Sequence, residues 1–323
     1  MRHQGITSEL DEAAKWFSAW EYVSAGIYGR RSFAPVEFVF FDLEHVYSTS
    51  RISVPAGEIV SGPRLFQKKL IWRKAVHNGE LKLPDGRKVP AGLMSFAAPL
   101  GGRGRQAFFV MPLPEFWEKA GVKSEELGLR NLLTGVFLHE FSHSQQIRTY
   151  GRKIAEFEQK YKFDTALSDD IVQDHFEKVP DYEAAFREET ELFYSAAEVG
   201  DDADGLSTAR SALTKLRSRH KKYFTADSSH FAGLDELFLT MEGFGQMTMY
   251  LWLTDPKGGN IMRDLAKKGV RRGKRSWSQD EGFAMFLLLN KFSKPKNWAG
   301  NMLGNKPESV IKILERAFGN ARR

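Results

Sequence analysis

The sequence predicts an α+β fold: a mainly antiparallel N-terminal sheet followed by a mostly helical part. Three observations carry this. Residues 35–111 hold β-branched and aromatic runs separated by turn dipeptides, and helical periodicity takes over from Pro114 nearly to the C-terminus. Strands therefore precede helices instead of alternating with them, which is the α+β pattern. The 323 residues show no internal repeat and no long linker. They are read as an N-terminal helix plus β-sheet subdomain over 1–122 and a helical subdomain over 123–323.

The elements follow in order. Ser8 is a cap residue with Asp11 three positions on, and Gly29 is a stop, so the first helix spans Ser8 to about Gly29. Ala13, Trp16, Trp20, Val23 and Ile27 give it an apolar stripe at helical spacing. Val36, Phe38, Val39, Phe40 and Phe41 form a strand, and Asn78-Gly79 and Asp85-Gly86 are hairpin-turn signals. Residues 107–111 read as the last strand, after a Gly- and Arg-rich loop at 101–105 that lacks the spacing of a phosphate-binding loop. A short helix then ends at Gly121, and a long one runs from about Ser124 to Tyr150 and stops at Gly151. Further helices are expected near 152–162, 181–199, 206–223, 231–254, 278–292 and 307–319.

Composition excludes several functions. There is no cysteine, so disulfides, Cys-based zinc fingers, thiol nucleophiles and iron–sulfur clusters are ruled out. A net charge of +6 is a mild excess, short of the concentrated basic face of a nucleic-acid reader. The longest apolar run, 283–289, falls far below the ~18 residues of a membrane span, so no transmembrane segment is expected. The first residues lack the apolar core of a secretory signal. The chain is expected to be cytoplasmic if complete, and periplasmic or secreted if a signal peptide precedes it.

The segment that carries chemistry is His139-Glu140-Phe141-Ser142-His143, an H-E-x-x-H motif inside the long helix. Histidines at i and i+4 share one helix face, so both imidazoles can reach one metal ion, and Glu140 stands where it can act on a water beside that ion. The preceding residues, 132–138, are mostly apolar, which puts the motif on a buried helix. On this motif the chain resembles the zincin metallopeptidases, and the strand-then-helix order extends the likeness. The resemblance implies an antiparallel sheet before the active-site helix, a helical subdomain after it, and a cleft between them. It also implies an edge strand that pairs with an extended substrate, for which 107–111 is the choice.

A catalytic zinc takes three protein ligands and leaves a position open. The metzincin extension would need Gly at 146 and His at 149, but Gln146 and Thr149 stand there, so a carboxylate from a later helix is expected, as in gluzincins. Glu242 is the preferred ligand. It shares a face with Phe238, Met241, Gly245 and Met249, where a buried carboxylate needs a partner, and Gly243 and Gly245 allow another helix to come close. Glu-Gly-Phe at 242–244 is also similar to the segment in which one zincin aminopeptidase family carries its ligand. Glu281, in Glu-Gly-Phe-Ala, is an alternative, although Ser278 and Glu281 also spell a capping box. Glu189 is the third choice, as ligand or as hydrogen-bond acceptor for a ligand histidine. The E-x-x-x-D pattern of several gluzincins is absent, since Gln246 occupies the Asp position.

The remaining polar features have plainer readings. Residues 267–275 hold six basic side chains and read as a solvated loop, and 217–222 as a solvated helix end. Asp42, Glu44 and His45 read as a turn after a strand. His220, His230, Tyr194 and Tyr250 are possible oxyanion stabilisers. The expected function is a zinc-dependent metallopeptidase acting on a peptide or protein, with one Zn²⁺ per chain held by His139, His143 and Glu242, and Glu140 as general base. The alternatives are a catalytically silent protein of the same fold that binds a peptide or partner, and a basic nucleic-acid-binding protein with an incidental H-E-x-x-H. No specific nucleic-acid partner is expected, and the sequence leaves the oligomeric state open.

Overall fold

The computed structural model describes residues 10–101, 106–163, 167–200, 202–273 and 275–320. The Ser8 cap, residues 102–105 of the Gly- and Arg-rich loop, and Lys274 lie outside them. The architecture is α+β, with a sheet in the N-terminal part and helices after it. It divides into two compact units, Met1–Arg148 with Thr248–Gly269 and Thr149–Met247 with Val270–Arg323.

The first unit opens with α1, Asp11–Glu21, which continues as a π-helical turn over Tyr22–Ile27. Gly29, at φ 68°, ends the segment in the left-handed region that favours glycine. Ala13, Trp16, Trp20 and Val23 are buried as their spacing predicts. The wider π turn then shifts the register, so Tyr28 enters the core where Ile27 was expected, and its hydroxyl lies 2.8 Å from Thr248 Oγ1.

Eight strands follow among the described residues. They are β1 (Val36–Phe41), β2 (His45–Ser48), β3 (Glu58–Val60), β4 (Trp72–Val76), β5 (Glu80–Lys82), β6 (Lys88–Pro90), β7 (Phe96–Leu100) and β8 (Gln106–Pro112). Six form one sheet in the order β3-β4-β2-β1-β8-β7, and β5 pairs with β6 alone. Every pairing is antiparallel except β1 with β8. Asp85-Gly86 turns the β5–β6 hairpin. Asn78 and Gly79, both at positive φ, make a tight turn closed by Glu80 N–H to His77 O, but it leads out of the main sheet instead of joining two paired strands.

The choice of 107–111 as an edge strand is corrected here: β8 is interior, and the edges are β3 and β7. The physical reason is burial on both faces. Phe38 and Phe40 of β1 and Phe109 of β8 point to one side, while Val39, Phe41, Phe108 and Val110 pack on the other with Leu81 and Leu83 of the hairpin. A strand covered on both faces reads as an unbroken apolar run, which is the pattern of an inner strand and not of an edge.

After β8 come α2 (Pro114–Lys119) and α3 (Leu129–Gln146). α3 starts later than Ser124, at Gly128 with φ 71°. Gly151 does not stop the helical path, because its φ of −58° is helical. A π turn over Ile147–Gly151 runs directly into α4, Arg152–Lys160. The second unit continues with α5 (Ile171–Phe176), α6 (Pro180–Glu198), α7 (Asp202–Tyr223) and α8 (Phe231–Thr254), the last of which ends in the first unit. Then come α9 (Arg263–Val270), α10 (Trp277–Phe292), α11 (Pro295–Leu303) and α12 (Val310–Asn320). The short helices α5, α9 and α11 were not anticipated. The second unit's core gathers Val172, Phe176, Tyr182, Phe186, Phe238 and Trp277. From residue 237 to 249, α8 is buried on all sides, so it is a central helix and not an amphipathic one. No helix among the described residues is long and apolar enough to cross a membrane.

Candidate metal centre

The sheet fixes which way α3 faces. Phe137 and Phe141, one turn apart, stack on each other at 5.3 Å and meet Trp16, Phe38 and Phe109. His139 and His143 follow these phenylalanines by two positions, about 200° around the helix, so anchoring the aromatic side turns both imidazoles away from the sheet. Gly135 brings α3 close to α8: a Cβ there would sit 2.6 Å from the Met249 side chain.

The two rings stand edge to face, with centroids 4.7 Å apart and planes at 85°. Their Nε2 atoms face each other at 3.0 Å. On the far side, His143 Nδ1 lies 3.3 Å from Gln146 Oε1. An amide oxygen only accepts, so Nδ1 carries the hydrogen and Nε2 keeps its lone pair. Two imidazole nitrogens at this separation need a proton or a cation to hold them together. Glu242 of α8 completes the group: one ligand atom from each of His139, His143 and Glu242 lies within 4.8 Å of the others, and all three side chains are buried. Ligand atoms of a tetrahedral ion with ~2.1 Å bonds stand about 3.4 Å apart, so this donor set fits one zinc-sized cation after small adjustments. Two nitrogens and a carboxylate also match zinc in chemistry. Glu140, half-buried, is next to the first of these histidines.

The other two carboxylates belong to a different cluster. Arg219 of α7 is fully buried and donates from Nε to Glu189 at 2.5 Å, from Nη2 to Glu281 at 3.1 Å, and from Nη1 to the Tyr182 hydroxyl. Its Nη2 also lies 3.2 Å from Asp235, which receives His220 Nε2 at 2.7 Å. Burial pushes Glu189 up to about 7 against the pull of Arg219. Burial, and then the charge of Glu189, lift Glu281 well above the usual carboxylate range. Burial also acts to raise Asp235, but Arg219 and His220 outweigh it and hold it below its ordinary value.

The 217–222 run is not a solvated helix end throughout, since Arg219 and His220 are buried. They continue the buried stripe Ala209, Ala212, Leu213 and Leu216, and that periodicity was the available signal. Ser278 and Glu281 form no capping box: α10 is capped at Ser276 without a side-chain bond, and Glu281 is turned inward to Arg219. The 267–275 run is not a free loop either. It includes the end of α9, Lys268 pairs with Glu126, and Arg271 lies 3.8 Å over the Tyr194 ring while bonding Glu191 and Asp280.

The proposed oxyanion groups have other partners. His220 bonds Asp235, the Tyr194 hydroxyl donates to Asp280, and His230 stacks on Tyr161 at 4.9 Å. Tyr250 is half-buried on α8. Asp42 accepts the backbone N–H groups of Glu44 and His45, as a turn residue does. Sequence reasoning passed over Gln146 as anything but a mismatch; its place three residues after a ligand-type histidine on one helix was the clue. No protein-family model, no curated protein and no solved structure matches the chain.

Proposed function

We propose that the protein is a zinc-dependent hydrolase of the zincin type, acting on peptide bonds, with α3 as its active-site helix. The observation that carries this is the meeting of His139 Nε2, His143 Nε2 and the Glu242 carboxylate, with Glu140 beside the first histidine. A zinc ion bound there supplies Lewis acidity and an acidified water. The residues do the rest. His139 and His143 present neutral Nε2 atoms, and Gln146 holds the His143 ring in that tautomer. Glu242 brings the negative charge that a divalent cation needs in a buried setting. Glu140 takes a proton from the attacking water on a carboxylate oxygen and returns it to the leaving amine. The open edge at β7, which packs near α3, offers backbone groups to an extended peptide.

The test is cleavage of a peptide library by the zinc-loaded chain, with and without a chelator, beside Glu140→Gln. The reading expects chelator-sensitive cleavage that the variant loses while it keeps its zinc. Zinc binding without cleavage of any peptide favours the silent binding protein instead. Salt-dependent nucleic-acid binding that ignores the chelator supports the third reading.

A further inference from the structure

Glu242 sits on a helix that is fastened on both sides of it. Asp235, two turns earlier on α8, is held by Arg219 Nη2 at 3.2 Å, and the same Arg219 nitrogen holds Glu281 of α10 at 3.1 Å. Next to Glu242, Gly243 meets Gly282 of α10 backbone to backbone. A Cβ on Gly243 would fall 2.4 Å from the Gly282 carbonyl carbon, and one on Gly282 would fall 2.3 Å from the Leu239 carbonyl oxygen. One turn after Glu242, Gln246 Nε2 donates to Gln279 Oε1 of α10 at 2.8 Å. An ion-pair hub, a glycine crossing and an amide clasp thus hold one stretch of α8 against α10, and Glu242 lies inside it.

The buried polar hub is hard to explain as a source of stability. Buried ion pairs are often no more stabilising than well-packed apolar side chains, and they are best understood where they fix a geometry. The glycine pair works the same way. Glycine inside a helix costs about 0.5–1 kcal/mol relative to alanine, and here it permits an approach that no larger residue allows.

We propose that Arg219, Asp235, Gly243 and Gly282 are positioning residues for the third metal ligand, and that their placement sets the zinc affinity through Glu242. This rests on the metal reading above. A Cβ on Gly282 cannot be absorbed by a flexible side chain, because its nearest neighbours are backbone atoms. It must move this stretch of α8 and α10 apart, and Glu242 lies in the stretch that moves.

The experiment measures zinc dissociation by chelator competition, and the visible spectrum of the cobalt-substituted protein, for the wild-type chain, Gly282→Ala, Asp235→Asn and Val110→Ala. Val110 lies in the core on the sheet face away from α3 and serves as a destabilised control. Gly282→Ala is expected to weaken zinc binding about 10- to 100-fold and to alter the cobalt spectrum, as the loss of a ligand-supporting contact does. Asp235→Asn keeps the side-chain shape and is expected to weaken binding about 10-fold, which provides a second readout if Gly282→Ala does not fold. Val110→Ala should change neither signal. Wild-type affinity and spectrum in the folded Gly282→Ala and Asp235→Asn variants overturn this proposal and leave the metal reading standing. A wild-type chain that binds no zinc overturns both.

Discussion

Replacing Arg219 by methionine removes the guanidinium that three buried carboxyls share while preserving most of the side-chain length. The Arg219, Glu189 and Glu281 side chains are wholly shielded from solvent and Asp235 nearly so, so water cannot take over the lost bonds. Removing one partner of such a cluster costs about 3–5 kcal/mol, a large part of a typical folding free energy of about 5–15 kcal/mol. With a urea m-value of about 3 kcal/mol/M, the midpoint should fall by about 1–1.7 M at pH 8. The pH sense follows from the raised carboxyls. A carboxyl whose folded pKa lies above its unfolded value favours the folded state below the unfolded value, and that advantage disappears as pH rises through the folded one. Burial lifts Glu189 to about 7, so wild-type stability should decline between about pH 4.5 and pH 7. Arg219 restrains this rise, so Arg219→Met should show a steeper decline. At pH 5 the protonated acids can donate to one another, and the loss should shrink to about 1–2 kcal/mol. Urea titrations at pH 5 and pH 8, followed by the fluorescence of Trp277, which stacks on Tyr182 and Phe186, measure this directly. A loss below about 1 kcal/mol at pH 8, or a greater loss at pH 5 than at pH 8, would refute the hub as described.

Further outcomes follow from other contacts. Gln146→Leu removes the acceptor on His143 Nδ1 and should weaken zinc binding by about 10- to 100-fold in chelator competition; unchanged affinity would show that Gln146 does not set the tautomer. Phe109→Ala empties a site where four aromatic side chains meet and should cost about 3–5 kcal/mol in a denaturation titration; a loss under 1 kcal/mol would contradict the packing of β8. Tyr150→Phe removes the hydroxyl that donates to the carbonyls of Asn301 and Glu308, and the same titration should record a loss of about 1–2 kcal/mol.

The parts of the molecule that were legible in the sequence are those where a local pattern and its environment agree. β1 and β8 were visible as apolar runs, and α3 as a helix carrying two histidines one turn apart. Glu242 stood out because it is an acid in an apolar stretch. What the sequence did not show depends on partners far along the chain. The unbroken apolar run at 106–112 marks an inner strand, but that β7 and β1 are the strands that flank it is decided by residues far along the chain. Nothing in α1 announces the π turn that exchanges Ile27 for Tyr28. Arg219 lies among other cations, and charge near a helix end usually means solvent; only the acids of three other helices make its burial tolerable. The capping box at Ser278 failed for a related reason: the Glu281 carboxyl is committed to Arg219.

In the proposed metal centre one zinc ion is shared by His139, His143 and Glu242. Anomalous diffraction at the zinc edge from crystals of the zinc-loaded chain tests it most directly. The expected result is a single strong peak with His139 Nε2, His143 Nε2 and a Glu242 carboxylate oxygen each within about 2.0–2.2 Å. A peak ligated by other residues, or none at the two histidines, would contradict it.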